Sequence, residues 1–426
     1  MIELEQRTGR LAERLPELQA GLRAGVRGLR VKRGLLLHDA LRWQLYLVPD
    51  ALSEEERAAY LRESGLDAAA PLPAQAPRTR QIFRIAPEDA PASEELHHLH
   101  DARFSCVACG DSCRTFRLGY LLPADVDRLL AQEWEGSGYD PATFFVDESD
   151  QVVDLRQSDK RDLFLRRSEK GCQFLRDDNL CDVQVRFGAA AKPFMCRLFP
   201  FLLRQSPSGV QVAVRLGDCL SAPRTSLGTP LGSQHKELRA LLAEQDRFDL
   251  LPPLLWLGPD RLVEWPEYQA LEKELIAAAS LSRLLARAEE AASSPPVEAA
   301  HPFTYQGLCD LALSMETTGL PLATRALPLD EGARALEATL WRQAIANKDL
   351  LQHADVLLGS AQLVVRAAWC RRDAARRASR SGASRVDGLQ INRAWREASS
   401  TWGLGFAGEL GAVVRSLAAR ALLELD

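Results

Sequence analysis

Three cysteines, Cys106, Cys109 and Cys113, stand within eight positions in "RFSCVACGDSCR". Cys172 and Cys181 follow in "GCQFLRDDNLC", Cys196 in "KPFMCRLFPF" and Cys219 in "LGDCL". Seven of the chain's nine cysteines therefore fall in its middle stretch. Thiolates are soft ligands suited to zinc or iron, and a C-x2-C step lets two sulfurs grip one ion or one cluster corner. In a reducing compartment, clustered thiols serve metal or redox chemistry more often than disulfide bonding. All seven are candidate metal ligands, weighed against a set of buried small hydrophobes. Zinc sites close at four ligands and often recruit histidine. Here the thiols exceed four, and the nearby histidines His97, His98 and His100 of "HHLH" read as a solvated helix face. The expected cofactor is an iron–sulfur cluster, [4Fe-4S] first, with zinc or mononuclear iron as the alternative.

In their order and flanking residues, "FSCVACGDSCR", "GCQFLRDDNLCDVQ" and "KPFMCRLFPF" resemble the YkgJ-type cysteine-cluster family of zinc- or iron-chelating proteins. That family's usual pattern is F-x-C-x2-C-G-x-C-C-R, then C-x-F-L and C-R-x-F-P-F. The resemblance spans roughly Arg103 to Leu220. Because the family includes flagellin lysine-N-methylases, the resemblance implies an iron–sulfur cluster and methyl transfer from S-adenosylmethionine to a protein side chain or small molecule. Two departures bear on this. Ser112 stands at the first position of the family's C-C pair, which implies a missing ligand or an open coordination position, since a hydroxyl poorly replaces a thiolate. "CRLFPF" replaces the methylases' C-R-x-Y-P-R, which favours the generic family over that branch.

Arg114 beside Cys113 and Arg197 beside Cys196 are candidate cofactor-binding residues, since a guanidinium fork holds a carboxylate through paired hydrogen bonds. Structural pairing with an acid is the other reading of each. Phe199, Pro200 and Phe201 are expected to pack over the site. No residue is assigned as catalytic. A methyltransferase-like enzyme stands beside a non-catalytic zinc or iron module that displays helices to a partner.

The elements that must position these residues suggest three regions. Residues 1–77 read as a helical region and linker, from the stripe Leu11, Leu15, Leu18, Leu22, Val26 and Leu29, an S-x-x-E capping box at Ser53 and Glu56, and the extended "DAAAPLPAQAP". Residues 78–232 form the cysteine module, with "DLFLRR" and "GVQVAVRLG" as short strands. Residues 233–426 are rich in Ala, Leu, Glu and Arg and read as helical. The expected fold class is mainly α with a small α+β cysteine-rich metal-binding module in the middle of the chain.

The remaining features are weaker. "WGLGFAGELG" places glycines at 403, 405 and 408 but follows a helical pattern, so a glycine turn is preferred to a dinucleotide loop. The basic run Arg366 to Arg385 reads as a solvated helix face followed by a loop. Cys309 and Cys370 read as packed thiols, not ligands. A net charge of -5 gives no electrostatic reason to expect nucleic acid or an anionic membrane. No run approaches 18 apolar residues, and the start lacks a basic head and apolar core, so a cytoplasmic protein is expected, with a protein substrate or partner met through the helical regions.

Overall fold

Where the leucine spacing predicts helix, Val26–Val31, Gly34–Asp39 and Gln44–Pro49 form a three-stranded antiparallel sheet. Glycines 21, 25, 28 and 34 explain the outcome: each lowers helix stability, and Gly34 takes φ 154° where a Cβ would lie 2.3 Å from the Val48 carbonyl oxygen. Leu11, Leu15 and Leu18 lie outside the described residues. In this computed structural model those are residues 19, 21–76, 80–91, 93–117, 120–156, 158, 160–215, 228–258, 260–278, 280–293 and 327–402.

The described chain forms two compact units. One takes the residues up to His97, Leu203–Val212 and those from Arg247 on; the other takes His98–Leu202 and Ala213–Asp246. In the first, the antiparallel sheet buries Val26, Leu35, Leu37 and Val48 against Leu22 and Leu66, with Tyr60 and Leu61 of the helix Glu54–Glu63 packed beside them. That helix starts as its sequence suggests: Glu56 N–H donates to Ser53 Oγ at 3.2 Å, and Ser53 N–H to Glu56 Oε2 at 2.8 Å. A five-stranded sheet follows the order Phe83–Ile85, Phe248–Leu250, Phe201–Ser206, Gly209–Val214 and Leu96–His97. The predicted strand "GVQVAVRLG" thus becomes Gly209–Val214, with Val210, Val212 and Val214 buried.

From His235 onward the described residues form the helices His235–Glu244, Trp265–Ile276, Leu281–Ser293, Glu331–Ala346, Val356–Arg380 and Gly388–Trp402, together with the short strands Phe248–Leu250, Leu254–Trp256 and Leu262–Glu264. Val356–Arg380 packs against Leu281–Ser293 and Gly388–Trp402. Its basic residues are not a free patch: Arg371 pairs with Glu337 at 2.7 Å, Arg376 with Asp373 at 2.5 Å and Arg366 with Asp349 at 3.6 Å. Cys370 on the same helix is buried.

The second unit is built from short pieces around one aromatic core. Trp134 stacks on Phe174 at 5.4 Å between ring centres and meets Phe144 and Phe187 edge-on. Cys172 and Cys181 pack against this core. "DLFLRR" supplies Phe164–Leu165, paired with Phe145–Val146, and begins Arg167–Ser168, paired with Gly171–Cys172.

The expected fold class is corrected by this architecture. The described residues are mixed α/β, 42% helical and 20% strand, with several small sheets instead of a mainly α chain around a cysteine-rich metal module. Among the described residues, no three His, Cys, Asp or Glu side chains are gathered closely enough to hold a metal ion. Many of the other strands have only two or three residues, too few to show a period of two in the sequence. Among the described residues, no helix is long and apolar enough to cross a membrane.

Candidate functional site

The described thiols of the middle stretch are carried on several pieces of backbone. Cys106 and Cys109 lie in the loop after the strand Arg103–Phe104, Cys106 exposed and Cys109 half-buried. Between them Ala108 takes φ 51°, and its amide donates to Cys106 Sγ at 3.4 Å. Gly110, at φ 70°, starts the helix Asp111–Thr115 that carries Cys113. Cys172 ends the strand Gly171–Cys172, Cys181 is the residue before the helix Asp182–Phe187, and Cys196 lies in the helix Phe194–Leu198.

Gly171 brings two of these pieces together. Its φ is 115°, and a Cβ there would lie 2.5 Å from the Cys113 carbonyl oxygen and 2.6 Å from Arg114 Cα. Only glycine permits so close an approach of strand to helix. Arg167, paired in register with Cys172, then donates to the carbonyls of Phe116 and, at 2.6 Å, Arg114. Backbone packing and a cation together hold Cys172 against the Cys113 helix.

Cys113, Cys172 and Cys196 line one cavity of about 40 Å³. Phe116, Leu165 and Met195 contribute apolar wall, and Arg117 and Arg167 contribute charge. The space suits a few water-sized occupants. Burial pushes the Cys172 thiol up to about 12, with Cys113 and Cys181 adding to the rise. Burial also drives Cys196 well above the ordinary thiol value, reinforced by Cys172, Cys181 and Cys113. Cys113 is raised by burial first and then by Cys181, Cys106 and Cys109. These thiols thus feel one another's charge, and without a compensating cation they remain protonated near neutral pH. Lys192 opposes the rise at Cys113 and Cys196, and Arg167 opposes it at Cys172.

Cys113, Cys172 and Cys196 border this space, whereas Cys106, Cys109 and Cys181 are not among the residues that line it. Soft sulfur donors suit zinc or iron, although the described positions do not form a coordinating group. Cys219 and Cys309 lie outside the described residues, as do the glycines at 403, 405 and 408.

Both arginines singled out from the sequence engage protein groups. Arg197 grips Glu244 with both Nη atoms, Nη1 to Oε1 at 2.7 Å, while its Nε donates to the Lys192 carbonyl at 3.0 Å. Hydrogen bonding from Arg197 holds the Glu244 carboxyl below its ordinary value, and Arg128 contributes from 3.2 Å. Arg128 also reaches Asp125, whose Oδ1 accepts from the Phe194 amide at 2.9 Å, so this network seats the helix bearing Cys196. Arg114 donates to the Cys109 carbonyl at 2.9 Å and to Asn179 Oδ1, closing the loop onto the segment before Cys181. Phe199 lies 6.3 Å from Phe116, centre to centre, which puts one of the expected covering aromatics beside a wall residue.

Sequence reasoning missed Lys192 and Arg167. Lys192 stands four positions before Cys196 but in extended backbone ahead of the helix Phe194–Leu198, so helical spacing does not disclose its place. Arg167 meets Cys172 only through strand register, which no spacing discloses. Compared with protein-family models, with curated proteins and with solved structures, the chain matches none of them.

Proposed function

We propose that this protein binds a soft metal cofactor through the thiolates of Cys113, Cys172, Cys181 and Cys196, an iron–sulfur cluster being the group and the loop cysteines Cys106 and Cys109 adding donors. The observation that carries the reading is the cavity bordered by Cys113, Cys172 and Cys196, thiols from three segments far apart in sequence. Buried thiols that raise one another's proton affinity lose that repulsion when a cation takes the place of their protons. Lys192 and Arg167 offset part of the negative charge, and the apolar wall limits water. When bound, a cluster supplies one-electron chemistry or an open iron position for a ligand.

Methyl transfer from S-adenosylmethionine to a lysine-like substrate rests on the motif resemblance and on Ser112 at a usual cysteine position. A second reading, a zinc ion that staples the unit, is favoured by the small cavity and by the sufficiency of four thiolates for a closed zinc site.

Anaerobic purification decides between them. Iron and acid-labile sulfide in similar amounts, with broad visible absorption that Cys172→Ser removes, is the expected result. Stoichiometric zinc in colourless protein would overturn the cluster in favour of the staple. Metal-free protein that reconstitutes with neither iron and sulfide nor zinc would sink both readings.

A further inference from the structure

Two histidines far apart in sequence meet in the second unit. His98 Nε2 and His235 Nε2 lie 3.1 Å apart, with ring centres 5.3 Å apart and planes at 69°. His98 Nδ1 sits 2.9 Å from the Leu99 carbonyl oxygen. A carbonyl only accepts, so Nδ1 carries the proton and Nε2 presents a lone pair toward His235. This is the arrangement metal-bound imidazoles adopt, one nitrogen free to ligate and the other donating to a backbone carbonyl.

The scaffold fixes both rings. Leu231 N–H donates to the Ala102 carbonyl at 3.0 Å, Thr229–Pro230 pairs with Arg103–Phe104, and the Gln234 amide donates to the Thr229 carbonyl at 2.9 Å. The segment entering the helix His235–Glu244 is therefore tied to the segment leaving His98. Gly232 lies beside the pair and is exposed, an added Cβ there coming 3.9 Å from His98 Nε2.

We infer that His98 and His235 form a two-imidazole site for a borderline divalent cation of the Ni²⁺, Cu²⁺ or Zn²⁺ class, its remaining positions filled by water. Zn–N bonds of roughly 2.0–2.1 Å across a 3.1 Å separation subtend about 95–100°, between octahedral and tetrahedral angles. Neutral imidazole donors select these ions over Mg²⁺ or Ca²⁺, which take oxygen ligands. The site is independent of the thiols and stands whether or not they hold a metal.

The test is Ni²⁺ titration of the tag-free full chain by calorimetry, alongside His98→Gln, His235→Gln, His100→Gln and the double variant Cys113→Ser/Cys172→Ser. Affinity should fall at least tenfold in His98→Gln and in His235→Gln and persist in the other two. Paramagnetic Ni²⁺ should also broaden two imidazole proton resonances of the unmodified protein before any others, a readout that needs no variant. Ni²⁺ binding unchanged by either histidine substitution, or lost only with the cysteines, overturns the site. So does the absence of Ni²⁺ binding with both resonances sharp, which would mean that the rings merely hydrogen-bond to each other.

Discussion

The proton affinity of the buried thiols makes the roles of the cysteines separable. Cys172 is raised by burial and then by Cys113 and Cys181, and Cys196 by burial and then by Cys172, Cys181 and Cys113, whereas Cys370 is raised by burial within Val356–Arg380, in the other unit. If the cavity thiols hold the metal, Cys196→Ser removes most of it and Cys370→Ser leaves it, as read by metal analysis of the purified variants. Equal metal in Cys196→Ser and the unmodified chain would remove Cys196 from the ligand set. The seven clustered cysteines were plain in the sequence. Which of them face one space was not, because Cys113, Cys172 and Cys196 are joined only by contacts between distant segments. Arg114 and Arg197 were legible as important cations, and tertiary contacts decided that they hold Asn179 and Glu244.

Among the elements around the thiols, the contact of Gly171–Cys172 with the helix Asp111–Thr115 is close, backbone against backbone. Gly171→Ala places a Cβ against backbone that cannot rotate away and also imposes a positive φ on a side chain. A loss of about 2 kcal/mol or more is expected in denaturant unfolding, with bound metal falling in parallel. Full stability in that variant would show that the strand and helix separate without cost. Local chemistry was well read where it is local: the Ser53 and Glu56 capping box depends on residues three apart. The leucine stripe misled because spacing alone does not weigh four glycines against helix, and because the Val26–Val31 strand is stabilised by pairing with Gly34–Asp39.

For the molecule as a whole, buried histidines set the response to acid. His38 is fully buried edge-on to the Trp43 and Phe83 rings, at 5.2 and 5.3 Å between ring centres, and burial pushes its pKa down to about 3. Among the described residues neither of its ring nitrogens has a hydrogen-bond partner. His353 is lowered to about 4, again by burial. Both stay neutral when folded and take up protons near pH 6.5 when unfolded, so their stabilisation is complete above pH 6.5 and is lost as pH falls toward 4 and then 3. For His38 the loss reaches about 5 kcal/mol across that window. Unfolding free energy measured from pH 7 to pH 4 should drop steeply, and His38→Phe should flatten the curve. A curve equally steep in that variant would place the acid sensitivity elsewhere.

Residue type and spacing by themselves determined the thiol inventory, the soft-metal chemistry open to it, the helical character of the C-terminal half and the helix cap at Ser53. These depend on neighbours within a few positions or on composition, both of which survive without a fold. The tertiary structure alone decided the rest. It replaced a mainly α expectation with mixed α/β architecture, because two-residue strands exist only through partners such as Phe145–Val146 with Phe164–Leu165. It set Lys192 and Arg167 among the thiols, turned both flanking arginines toward protein partners, and brought His98 to His235 across 137 positions. Such meetings depend on chain reversals and register, and no period in the sequence encodes them.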